Sequence, residues 1–88
     1  MSTVPLGIEF VTRKGCPLCD EALPTVRSVA SSLGVPVNLR DVDEDPALVD
    51  LSDRVPVVLS ASGQVLAEGE ISSIGLWFRL AMGRLAGF

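Results

Sequence analysis

The sequence contains no histidine and no tyrosine, a single tryptophan, and two cysteines, Cys16 and Cys19. Its seven basic residues are outnumbered by eleven acidic ones, giving a formal net charge of −4. Each shortage excludes something. Phosphate binding needs clustered Lys and Arg that release counterions, so this balance argues against nucleic acid as a partner. Zinc sites ordinarily take four ligands, and two cysteines without histidine supply half of one. Long apolar runs are missing too. The most apolar segment, "ISSIGLWFRLAMGRLAGF", is broken by Arg79, Arg84 and three internal glycines, so no membrane span is expected. The opening "MSTVPLGIEFVTRK" has no basic region ahead of its apolar stretch and no small-residue cleavage site. It does not read as a signal peptide, and the expected compartment is a reducing cytoplasm. There, paired cysteines point to catalysis or metal more than to a structural staple.

At 88 residues, 48% of them hydrophobic, the chain is long enough for one compact core and too short for two. "LGIEFVT" (6 to 12) is short and mostly apolar and reads as a first strand. Beyond Gly15, apolar residues at Leu18, Ala22, Val26, Val29, Ala30 and Leu33 recur at spacings of three and four, one face of a helix. Pro17 fits its first position and Gly34 its stop, while Pro24 falls inside and should kink it. "VPVNLRDV" (35 to 42) is a second strand. Asp45 and Pro46 then cap and open a short helix to about Leu51. Residues 55 to 60 and 64 to 69 are third and fourth strands joined by the turn 61 to 63. A last helix starts near Ile71, with Ile71, Ile74, Phe78, Met82 and Leu85 along one side. The order β-α-β-α-β-β-α predicts an α/β domain: a parallel β-α-β crossover extended by an antiparallel hairpin.

The cysteine pair sits where the first strand gives way to the first helix. A thiol with the ordinary pKa near 8.5 is mostly protonated at neutral pH, and the thiolate is the reactive form. Unpaired N–H groups and the positive end of the helix dipole favour a negative sulfur at Cys16. Arg13 and Lys14 add positive charge beside it. Cys19, one turn further in, should be less exposed, and the charges of Asp20 and Glu21 oppose its ionisation. That division suits an attacking thiol and a resolving thiol. A structural disulfide is a weaker reading, because closing a four-residue loop stabilises by roughly 2 kcal/mol against about 5 for a long one. Zinc completed by carboxylates or a second copy, and a chance pair of buried thiols, are the remaining readings.

"CPLC" after a strand, followed by "RVPVV", resembles the thioredoxin superfamily, and specifically the small bacterial glutaredoxin-like proteins. The likeness takes in Arg13 three residues before the first cysteine, the CxxC itself, "CDEA", "DVDEDP", Pro24 five residues beyond Cys19, and Val55–Pro56 at the third strand. The resemblance implies a thioredoxin fold with a four-stranded mixed sheet flanked by helices, and Cys16 and Cys19 as the catalytic pair. It implies a cis Val55–Pro56 bond, with Pro56 packed against the cysteines and the backbone of Val55 offered to an incoming disulfide. Pro17 and Leu18, between the cysteines, become substrate contacts with Arg13 and Lys14. The chain departs from the pattern where Leu18 and Arg54 take the usual tyrosine and threonine places. In place of the Gly-Gly-acidic motif that holds the glutamyl end of glutathione stand Gly69 and Glu70 alone.

Two further features have bland readings. Asp41, Asp43 and Asp45 alternate as in a calcium loop, but Pro46 stands where that loop needs glycine and Ser52 where it needs a bidentate glutamate. A solvated turn ending in a helix cap is the better account. Leu76, Trp77 and Leu80 fall off the apolar stripe of the last helix, and the sheet and first helix are expected to cover them, leaving a monomer. The expected activity is thiol–disulfide oxidoreduction on disulfide-containing or glutathionylated proteins. No bound cofactor or metal is required, and glutathione or a thioredoxin reductase-like donor would supply electrons. The rival is a non-catalytic module of the same fold whose cysteines hold zinc or form a redox-sensitive contact.

Overall fold

A computed structural model describes the backbone of residues 7–86 and the side chains through residue 82. The elements are β1 (Ile8–Thr12), α1 (Pro17–Ser32), β2 (Val37–Asp41), a short 3₁₀ segment (Pro46–Leu51), β3 (Val57–Leu59), β4 (Val65–Glu68) and α2 (Ser73–Ala86). The sheet order is β2-β1-β3-β4, with β1 and β2 parallel and the other neighbours antiparallel. The order of elements along the chain and the mixed sheet are the predicted ones. Leu6, placed in the first strand by the sequence, lies outside the described residues.

Strand alternation sorts the core into two layers. Ile8 and Phe10 of β1 and Val58 of β3 face one side, where they pack with Ala22, Val26, Val29 and Ala30 of α1 and Leu76 and Leu80 of α2. Val11, Val57 and Leu59 face the other side and meet Val42 and Leu48, so the 3₁₀ segment covers that face. Both α-helices thus share one side of the sheet. Asp45 caps the 3₁₀ segment by accepting from the Ala47 N–H at 3.0 Å, and its other oxygen pairs with Arg40. The acidic run 41 to 45 is a capped turn, closed by the Asp43 N–H donating to Asp41 at 2.8 Å.

Each strand is shorter than the sequence suggests, and β2 and β3 lose the most. β2 starts at Val37 because the Val35 N–H turns back to the Ala30 carbonyl at the end of α1, and Pro36 has no N–H to offer. β3 starts at Val57, after a loop in which the Val55–Pro56 bond is cis.

The last helix needs a correction. It starts at Ser73, after the Ser72 hydroxyl accepts from the Gly75 N–H at 3.2 Å. Its inward residues are Leu76 and Leu80, each 1% exposed. Ile74, Phe78 and Met82 of the predicted stripe point to solvent, at 71%, 58% and 60% exposure, and Trp77 is 43% exposed. Only Ile71, ahead of the helix, packs against the core. The side chain of Leu85 lies outside the described residues. Apolar residues occupy several faces of α2, so spacing alone does not single out the side that meets α1 and β4. No helix among the described residues is long and apolar enough to cross a membrane.

Candidate active site

Register places four loops at one end of the sheet. Thr12, the last residue of β1, is level with Asp41, the last of β2. Val57, the first residue of β3, stands beside Val11 on one side and Glu68, the last of β4, on the other. The segments 13–16, 42–45, 52–56 and 69–70 therefore leave the sheet together.

The first of these carries the cysteines. Gly15 takes a φ of 74°, a left-handed conformation that favours glycine, and turns the chain out of β1. Cys16 is extended and serves as the N-cap of α1. Its sulfur accepts from the Cys19 N–H at 3.1 Å, and its carbonyl from the Asp20 N–H at 3.0 Å. Pro17, without an N–H, stands at the first helical position, where no donor is needed. Cys16 and Cys19 are joined by a disulfide with a Cα–Cα distance of 5.2 Å. Cys16 is partly exposed and Leu18 is at the surface, whereas Cys19 is 1% exposed. One sulfur faces outward and its partner is inside.

The loop before β3 is held by its neighbours. Pro56 is buried, and its carbonyl accepts from the Gly69 N–H at 2.9 Å. Arg54 donates to Glu68 at 2.7 Å, a second tie between the proline loop and the end of β4. That hydrogen bond lowers the Glu68 pKa and raises that of Arg54. Leu18 and Glu70 meet at a cavity of about 90 Å³ that Glu21, Ala22 and Ile71 complete.

Arg13 has a different setting from the one its sequence position suggests. Its Nε and Nη2 donate to the two carboxylate oxygens of Asp43, both at 2.9 Å, and Nη1 donates to the Ser52 carbonyl at 3.2 Å. The bidentate bond holds the Asp43 carboxyl below its ordinary range and raises the Arg13 pKa. The guanidinium is a clamp across three loops. Lys14 reaches solvent, 4.0 Å from Glu44. Sequence reasoning missed Asp43, Ser52 and Glu68. The parallel pairing of β1 and β2 is the signal that could have found Asp43, since it sets the residues after Thr12 beside those after Asp41.

Among the described residues, no group of three or more Cys, Asp or Glu is placed to hold a metal ion. A family model described as "Glutaredoxin-like domain (DUF836)" matches residues 7–74, most of the chain. The chain belongs to this glutaredoxin-like family. No curated protein matches it. Among solved structures, the glutaredoxin-like chain is similar to thioredoxin 1 from Thermosipho africanus TCF52B, with 18% identity and a TM-score of 0.71 over 93% of this chain and 98% of the other. It is also similar to protein Ne2328 from Nitrosomonas europaea, with 23% identity and a TM-score of 0.69 over 86% and 92%. At these identities the likeness is one of fold, and the fold is that of thioredoxin. The glutaredoxin-like domain therefore carries a CxxC pair at the site where its first strand meets its first helix, which supports thiol–disulfide oxidoreduction at the level of the family.

Proposed function

We propose that this domain reduces disulfides in protein substrates and in mixed disulfides with small thiols, with Cys16 as nucleophile and Cys19 as resolving thiol. The observation that carries the reading is the asymmetry of the pair. Cys16 caps the helix and accepts a backbone N–H, while Cys19 is buried behind it. Once the pair is reduced, a thiolate at Cys16 takes up that N–H and the positive helix end, and both favour the anion.

In the first step the Cys16 thiolate attacks one sulfur of the substrate disulfide. A Cys16–substrate disulfide forms, the substrate S–S bond breaks, and the departing thiolate takes a proton from water. Cys19 then loses its proton and attacks the Cys16 sulfur, which releases the second substrate thiol and leaves the Cys16–Cys19 disulfide. Two electrons have moved from the domain to the substrate. A dithiol protein of the thioredoxin reductase type, or two molecules of a monothiol such as glutathione, returns them. In this reading an extended substrate segment lies along the backbone of Val55 and Pro56 and touches Pro17 and Leu18.

The test is a trapping experiment. Cys19→Ser leaves the first step intact and removes the second, so the variant should accumulate a covalent adduct with a model disulfide. Cys16→Ser should form none. Wild-type protein that neither forms an adduct nor reduces any disulfide in the presence of dithiothreitol would overturn the assignment.

A further inference from the structure

Each basic side chain bordering the disulfide loop or the proline loop has a carboxylate across from it. Arg13 pairs bidentately with Asp43 and donates to the Ser52 carbonyl, Arg54 donates from Nε to Glu68, and Lys14 stands 4.0 Å from Glu44. The carboxylates on the same rim are in the opposite state. Asp20, Glu21 and Glu70 have no ion pair or side-chain hydrogen bond among the described residues. Glu21 and Glu70 line the small cavity beside Leu18, whose other walls are Ala22 and Ile71.

From this arrangement we infer that the site selects its disulfides by charge. Asp43 and Glu68 offset the charge of the guanidiniums that an anionic thiol or disulfide would use, so such molecules, glutathione included, are disfavoured. Disulfides flanked by Lys or Arg are favoured, because their cations approach Glu21 and Glu70 over an apolar floor. Displacing Asp43 is hard for a free carboxylate, since the tethered one is already seated bidentate and acts at high effective concentration. The inference rests on the oxidoreductase reading and adds to it the class of substrate.

The experiment compares three small symmetrical disulfides: cystamine with cationic ends, bis(2-hydroxyethyl) disulfide with neutral ends, and dithiodiglycolate with anionic ends. Each takes two electrons and two protons to become two thiols while Cys16 and Cys19 form their disulfide, and dithiothreitol returns the electrons. Each rate is divided by the rate with dithiothreitol alone, which removes intrinsic differences among the disulfides. One charge pair near contact in water is worth about fivefold. The normalised rate for cystamine should therefore exceed that for dithiodiglycolate by about tenfold or more at low salt, and the gap should narrow toward unity near about 0.5 M salt.

Asp43→Asn should lower the cystamine-to-dithiodiglycolate ratio about fivefold by freeing Arg13, and Glu21→Gln with Glu70→Gln should lower it further. The wild-type salt series decides the question even if a variant folds poorly. Equal normalised rates, a preference for the anionic disulfide, or a ratio indifferent to salt would overturn the inference alone. Failure to turn over any of the three would overturn the oxidoreductase reading as well.

Discussion

The N–H of Cys19 points at the sulfur of Cys16 from 3.1 Å, so the residue that would resolve the intermediate also steadies the nucleophile through its backbone. The side chain of Cys19 is meanwhile held inside, at 1% exposure. Under the proposed mechanism, backbone and side chain of one residue serve two roles, set by one helical turn.

Unequal reactivity of the two thiols follows. In reduced protein, brief iodoacetamide treatment should alkylate Cys16 with a half-maximal rate well below pH 8, against the ordinary thiol value near 8.5. Cys19 should stay unmodified until the protein is unfolded. Peptide mass spectrometry across a pH series reads both sites at once. Equal labelling of the two cysteines, or a Cys16 profile centred at the ordinary thiol value, would remove the activated nucleophile.

The tie between Gly69 and Pro56 gives a stability prediction. Gly69 has a φ of 68°, donates to the Pro56 carbonyl, and has open space where a Cβ would sit. Gly69→Ala therefore meets no steric clash, only the left-handed backbone cost of about 1–2 kcal/mol for an L residue. A urea midpoint should fall accordingly with an unchanged slope. No change in the midpoint would mean that the turn readily takes another conformation.

The Arg13–Asp43 clamp should be sensitive to acid. Asp43 has its pKa lowered in the folded state from the ordinary value of 3.8, first by the Arg13 hydrogen bond. A depressed carboxyl stabilises the fold above its unfolded pKa, and that contribution is lost as pH falls through the folded value. Wild type should thus be more stable than Asp43→Asn at pH 7. The difference should shrink as the pH drops below the ordinary aspartate range. Urea unfolding of both proteins at pH 7 and near pH 3 checks the sign, and a gap that widens in acid contradicts it.

Where the sequence was readable, single residues had one dominant job. Pro17 fitted the first position of α1, which set Cys16 at the junction of strand and helix. Asp45 and Pro46 likewise marked the start of the 3₁₀ segment. The fold order followed from such punctuation together with the apolar spacing of α1. Reading failed where a residue had several possible partners. Arg13 stands three residues before Cys16, but its partner is Asp43 in the turn after β2, distant in the chain. Glu68 and Arg54 meet only because β4 returns beside β3. Local charge counting cannot see such pairings, since register decides them.

The last helix shows the same limit in its packing and supplies the sharpest stability contrast. Leu80 is 1% exposed among Leu76, Val26 and Phe10, whereas Phe78, two residues away, is 58% exposed with its ring edge-on to Trp77. Truncating a buried leucine leaves a cavity as well as lost transfer energy, so Leu80→Ala should cost about 2–5 kcal/mol. That is a large share of the roughly 5–15 kcal/mol available to a domain. Phe78→Ala removes a larger side chain from solvent contact and replaces it with the best helix former, so its midpoint should move by about 0.5 kcal/mol or less. The apolar spacing alone predicts the reverse ranking, with Phe78 in the core stripe and Leu80 off it. Urea unfolding of the two variants decides between the faces: a greater loss at Phe78 than at Leu80 would mean that α2 is rotated, or that its outer face is covered in solution.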